Sequence, residues 1–224
     1  ISYRLVGSEM CIRDSLWAAY QLMAKARNKR APLDLDIPER TIIMNNGKIE
    51  DIFIPQRLEA MRLIEEMMVS ANVCAAETLE KHKTPLIYRV HNIPSEEKVY
   101  ALAGFVKPLG VVIDLGQPMI PRLFNRLLDG ARETDYEFMV QEAVLRTQSQ
   151  AVYDPENIGH FGLNLSRYAH FTSPIRRYAD LIVHRALIRA LKFGNDGLPD
   201  NQIESLDETA VHISATERRA MLAE

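Results

Sequence analysis

Residues 168–187, YAHFTSPIRRYADLIVHRAL, place phosphate-binding chemistry at one point of the chain. Ser173 is a good N-cap and Pro174 suits a first helical turn, so the sequence predicts a helix from Pro174 to about Phe193, where GNDG (194–197) breaks it. The predicted first turn carries Arg176 and Arg177. A helix start already favours an anion through its free N–H groups and dipole, and two guanidiniums add planar forks that match phosphate oxygens. His170, Phe171, Thr172 and Tyr178 stand around the junction, able to stack on bases or donate hydrogen bonds. The plainer reading is a capped helix with solvated arginines.

Within that helix Arg176, Asp180 and His184 fall at i, i+4 and i+8 and share a face. Asp180 then either orients Arg176 towards a phosphate or forms a surface ion pair of about 0.2–0.5 kcal/mol. His184 fits a hydrogen-bonded core histidine. Asp34, Asp36 and Glu39 in LDLDIPE are a possible metal set, since Asp34 and Asp36 of a strand project from one face. A solvated strand face or a structural ion pair is the competing reading. Glu65 and Glu66 are adjacent on a helix and point about 100° apart, so they form no facing acid/base pair.

The elements that must hold these groups follow from periodicity. Leu16–Arg30 has helical spacing and ends in a basic run, and Asn46-Gly47 between 41–45 and 48–54 predicts a hairpin. Residues 56–82 form the longest helical pattern, with Met61, Ile64, Met68, Ala71, Ala75 and Leu79 on one face and its methionines as core filler. Tyr88–Val90 reads as a short strand, 151–153 and 161–163 as extended pieces, and 96–107 (capped by Ser95), 118–129, 134–149 and the stretch after Asp200 as helices. The fold class is mixed α+β, helix-rich with short strands and one hairpin.

The segment 168–187 resembles the signature of the ribonuclease II / ribonuclease R family of 3′→5′ exoribonucleases. LIEEMMVSANVCAAETL (63–79), Tyr88–His91, QAVYDPENIGHFGLNLSRYAHF (150–171) and HISATERRAMLAE at the C-terminus extend the resemblance, in detail closer to the ribonuclease R branch. It implies that residues 16–224 are the C-terminal two-thirds of an RNB-type catalytic domain, while 1–15, without counterpart in the family, are set aside as non-native. It further implies hydrolysis of single-stranded RNA to nucleoside 5′-monophosphates, with Mg²⁺ held by an aspartate cluster that precedes Leu16 in the family and is absent here. By the same resemblance Arg176 is the catalytic arginine. His170, Thr172, Ser173, Arg177 and Tyr178 contact RNA, and Tyr88, Arg89 and His91 line its channel. Asp180 and His184 support the site, and no metal ligand is assigned. A non-catalytic RNA-binding module that keeps the phosphate-binding junction is the alternative, and a metal hydrolase built on Asp34, Asp36 and Glu39 a third.

Composition is compatible with this. The 224 residues are 47% hydrophobic, enough for one sizeable core or two small ones, and the net charge of −3 gives no global basic field. Charge is nonetheless uneven: between His160 and Lys192 six basic residues face the single acid Asp180, which fits one backbone-binding site. Cys11 and Cys74 form no metal-binding pattern, and no apolar run reaches membrane length. A monomeric cytoplasmic protein with no membrane contact is expected.

Overall fold

The computed structural model describes residues 2–37, 40–110, 112–114 and 116–223. Helix α1 (Ser2–Arg30) ends in the basic run Arg27, Lys29 and Arg30, stopped by Ala31 in the left-handed conformation and by Pro32. Strands β1 (Thr41–Asn45) and β2 (Lys48–Phe53) form the expected hairpin. Asn46 and Gly47 turn it with φ of 48° and 75°, the positive pair a two-residue turn of this type requires. Both strands are exposed along their whole length.

Helix α2 (Glu59–Lys81) follows the predicted bounds, but its buried side is rotated. Ala75 and Leu79 enter the core, whereas Met61 and Ile64 are 56% and 55% exposed. Leu63, Glu66, Asn72 and Ala76 are buried instead. The helix turns inward two polar residues that have partners: Glu66 meets Arg27 of α1 at 3.2 Å, and Asn72 holds the signature loop. The methionines are therefore not core filler. Glu65 pairs with Arg57 in solvent, so the two adjacent glutamates do point apart.

Strand β3 (Tyr88–Val90) pairs antiparallel with β4 (Val152–Asp154), Tyr88 opposite Asp154 and Val90 opposite Val152. Between them run α3 (Glu96–Val106), α4 (Pro121–Ala131) and α5 (Glu137–Thr147). Ser95 caps α3 through Lys98 N, as expected. Residues 161–163 form turns rather than an extended piece. Helices α6 (Tyr178–Leu191), α7 (Asp200–Glu204) and α8 (Leu206–Met221) complete the chain.

Two hydrophobic clusters result. One joins α2, β3, β4, α6 and α8 through Leu79, Ile87, Val90, Tyr153, Val183 and Ala210. The other packs α3, α4 and α5 through Val99, Phe124, Leu127, Val140 and Val144, with Phe161 at its edge. The signature loop, residues 168–177, lies over the first cluster between α2 and α8.

Candidate nucleic-acid interface

Helix α6 starts four residues later than the sequence predicts, and this reorganises the site. The Ser173 carbonyl accepts Arg176 N at 3.3 Å and Arg177 N at 3.1 Å, closing a separate turn over 173–176 in which Pro174 takes the second position. Arg177 then adopts extended dihedrals (φ −127°, ψ 118°) and becomes the residue preceding the helix. A proline with a preset φ satisfies a tight turn as well as a helical first turn, so Ser173 is not the N-cap.

Asp180, fully buried, sits in the first turn of α6. Its Oδ1 accepts the Ser173 amide at 2.7 Å, and Arg177 grips both oxygens, Nε to Oδ2 at 2.7 Å and Nη2 to Oδ1 at 2.8 Å. Burial raises the Asp180 pKa, but the Arg177 fork and the Ser173 amide outweigh it and hold the carboxyl below the usual range. Asp180 thus pairs with Arg177 and not with Arg176, and the expected face of Arg176, Asp180 and His184 does not exist because Arg176 is outside the helix. His184 stacks on Phe171 with centroids 4.3 Å apart and bonds the Phe171 carbonyl through Nε2 at 2.8 Å.

Asn72 secures the other half of the loop. Its Oδ1 accepts Phe171 N at 2.9 Å and Thr172 N at 3.2 Å, and its amide donates to Tyr168 Oη at 2.9 Å. His170 Nδ1 lies 2.8 Å from Tyr153 Oη, and burial, reinforced by Arg177, pushes its pKa down to about 3, so the ring is neutral. Thr172 Oγ1 is buried without a hydrogen-bond partner among the described residues.

Arg176 and Tyr178 are presented outward. Tyr178 is 50% exposed, Arg176 is exposed, and the Arg176 guanidinium has no ion-pair partner among the described residues. Both line, with Arg177, a cleft of ≈ 750 Å³ between the turn and α8, whose far wall carries His212, Thr216 and Glu217. A second cleft of ≈ 690 Å³, walled by Met61, Ile64 and Met68 of α2, opens on the other side, with Thr172 and Arg177 at its end.

Tyr88 and Arg89 line neither of these clefts, while His91 lines a third, of ≈ 890 Å³, with Ile93, Asn157 and His160. Tyr88 is 7% exposed and donates to Glu80 Oε1 at 3.0 Å. Arg89 pairs with Glu217 of α8 at 2.7 Å and lies 4.5 Å over the Tyr153 ring. His91 is 8% exposed, its Nε2 bonding the Ser149 carbonyl at 2.7 Å and its Nδ1 accepting the Gly162 amide at 2.8 Å. A Cβ at Gly162 would stand 2.9 Å from that nitrogen, so only glycine permits the approach. These residues brace the strand pair and its loops. Sequence reasoning in turn missed Asn72, Tyr153 and Glu217. A polar residue amid the apolar run of α2 was the signal for Asn72.

Residues 31–37 are a loop and not a strand, Asp34 is exposed 4.0 Å from the Arg132 guanidinium, and Glu39 lies outside the described residues. Among the described residues no three His, Cys, Asp or Glu side chains converge as metal ligands. No described helix is long and apolar enough to cross a membrane.

Residues 8–192 match the RNB domain. The chain belongs to the RNB family. The match starts inside the stretch set aside as non-native, and α1 runs through that boundary without a break. This RNB chain is 38% identical to the ribonuclease R of Escherichia coli strain K12 over 216 residues, covering 92% of itself and 27% of that protein. It is 38% identical to the ribonuclease R of Aquifex aeolicus over 206 residues, covering 92% of itself and 29% of the relative. The chain therefore spans under a third of the length of these relatives. The solved Mycoplasma genitalium RNase R in complex with ribose-methylated single-stranded RNA superposes with a TM-score of 0.83 at 29% identity, over 93% of this chain and 33% of that one. Yeast Ssd1, a pseudonuclease, shares the RNB architecture less closely, with a TM-score of 0.59 at 25% identity over 70% of this chain and 20% of its own.

Proposed function

We propose that this chain is the part of a ribonuclease R-like 3′→5′ exoribonuclease that grips the phosphate at the RNA end, in an enzyme that hydrolyses single-stranded RNA to nucleoside 5′-monophosphates. The observation that carries this reading is the signature turn: its backbone is tied to buried acceptors, and the Arg176 guanidinium is left free at the mouth of a cleft. An arginine held ready but unpaired offers its full fork to a phosphate without first breaking an ion pair. The half-exposed Tyr178 ring in the same cleft supplies a face on which a base of any identity stacks. Solved RNase R structures with single-stranded and double-stranded RNA share this fold.

The reading places Mg²⁺ with the parent enzyme. The reading assigns this chain no metal ligand, in keeping with the lack of three converging His, Cys, Asp or Glu side chains among the described residues. The role of this chain is accordingly to bind and orient: Arg176 holds the phosphate, neutral His170 keeps Tyr153 in place, and Ser173 and Thr172 form the loop beneath. The likeness to Ssd1, a pseudonuclease, favours a second reading in which the same grip serves RNA binding without cleavage.

Single-turnover cleavage beside a binding titration, in the full-length enzyme carrying this chain, tests the assignment. Arg176→Ala is expected to lower the cleavage rate by about 10²–10³-fold, the cost of one preorganised donor, with a much smaller loss of affinity. Equal losses in both, or unchanged cleavage, would refute the role of Arg176. An enzyme with intact RNA binding and no cleavage in the wild type supports the second reading.

A further inference from the structure

The signature loop is held by two buried acceptors on two different helices. Asn72 of α2, 2% exposed, takes the amides of Phe171 and Thr172, and Asp180 of α6, fully buried, takes the amide of Ser173. Pro174 has no amide, and those of Arg176 and Arg177 close back on the Ser173 carbonyl. Nearly every backbone donor from 171 to 177 thus has a fixed destination. Arg177, only 20% exposed in its side chain, directs Nε and Nη2 at Asp180. A carboxylate buried this deeply persists only with its charge compensated and its lone pairs filled, and these donors do both.

The two adjacent arginines therefore have different tasks. An arginine forked onto a buried carboxylate has two of its five N–H donors and its orientation committed, whereas its neighbour has none committed to an acid among the described residues. We infer that Asn72 and Asp180 are positioning residues that set the shape of the phosphate-binding loop, with Arg177 serving as Asp180's partner and Arg176 as the phosphate contact. This rests on the reading of Arg176 given above.

The sign of one substitution separates positioning from electrostatics. Asp180→Asn removes a negative charge from a cationic site, so charge alone makes RNA bind more tightly. Loss of positioning makes it bind more weakly. The probe is a fluorescein-labelled single-stranded oligoadenylate titrated by anisotropy into the 224-residue chain over a salt series, with circular dichroism reporting that each variant is folded. This chain spans under a third of its relatives' length, so fewer phosphate contacts mask the loss of one than in the full enzyme. Arg176→Ala, Asp180→Asn and Asn72→Ala are each expected to weaken binding about tenfold. Each should also lower the slope of log Kd against log salt by about 0.7, one phosphate contact on a single strand. The double variant Arg176→Ala/Asp180→Asn should bind no more weakly than Arg176→Ala alone, because both remove the same contact.

A folded Asp180→Asn chain that binds as tightly as wild type, or a double variant whose losses add, overturns the inference while leaving Arg176 in its role. If Arg176→Ala binds like wild type, the reading of Arg176 fails and the inference with it. Should Asp180→Asn not fold, Arg177→Lys decides. Lysine keeps the charge, so a direct phosphate contact keeps the salt slope and overturns the inference; loss of the fork on Asp180 lowers the slope and supports it.

Discussion

Arg176 and Arg177 are neighbours in the chain and line the same cleft, but only Arg177 is folded onto a buried carboxylate. What separates them is the turn at Ser173–Arg176, which consumes the residues that the sequence pattern assigns to a helix. The SPIRR spacing is legible as a phosphate-binding junction, because it sets two guanidiniums beside a predicted helix start. Which arginine is free is not legible, since i,i+4 pairing presumes a helix reaching back to Pro174. Ser173 records the difference. Its side chain makes no capping bond, and its contribution to the loop is its amide and carbonyl. An N-capping serine replaced by alanine costs about 0.5–2 kcal/mol. Ser173→Ala is therefore expected to change stability by less than about 0.5 kcal/mol in urea denaturation. A loss above about 1 kcal/mol would restore the capping role.

At the scale of elements, a chain of rings ties β3, β4 and the loops around 160 and 170 together. His91 lies 5.0 Å from His160, His160 5.4 Å from Tyr168, Tyr168 5.6 Å from His170, and His170 5.6 Å from Tyr153. Period-two alternation in a three-residue strand explains why Tyr88 and Val90 turn inward, but three residues are too few to show this in the sequence. The hairpin and the Ser95 cap are where turn chemistry puts them, and α2 has its predicted extent but not its predicted buried face. Burial, with His91 nearby, drives the His160 pKa down to about 3, and burial does the same for His170. Both rings are neutral in the fold, whereas an unfolded histidine titrates near 6.5. Between about pH 6.5 and pH 3 the unfolded chain binds more protons, so stability is full above 6.5 and declines as pH falls through that window. Asp180, with its lowered pKa, adds a loss in the same direction below its unfolded value near 3.9. Thermal melts should show Tm falling steadily from pH 7 to pH 4.5. His160→Asn keeps an acceptor for the Leu163 amide while removing one titration, and should flatten that dependence. An equally steep profile in His160→Asn would remove His160 from the account.

On the scale of the whole molecule, two facts pull on the question of catalysis. The RNB chain superposes on an RNase R with a TM-score of 0.83, and a pseudonuclease shares the architecture at 0.59, so architecture by itself does not imply cleavage. What decides is whether acids converge near Arg176. The sequence offers Asp34 and Asp36 for this, and their helix-free, exposed loop shows why spacing alone misleads: two carboxylates project together only if the chain between them is extended in a regular strand. Asp34 instead stands 4.0 Å from Arg132, and its amide is bonded by Asn125 of α4 at 2.9 Å, which fits a structural role for that loop. The 224-residue chain should therefore bind oligoadenylate yet release no mononucleotides with millimolar Mg²⁺ above a buffer control, followed by thin-layer or ion-exchange separation of a uniformly labelled strand. Cleavage needs charge stabilised on both the attacking and the leaving oxygen, and a guanidinium on the phosphate supplies neither a nucleophile nor a base. Binding without turnover is the expected pair of results. Mg²⁺-dependent release that Asp34→Asn abolishes would reverse the conclusion, because it would place the metal on the loop after α1 and make this chain a nuclease in its own right.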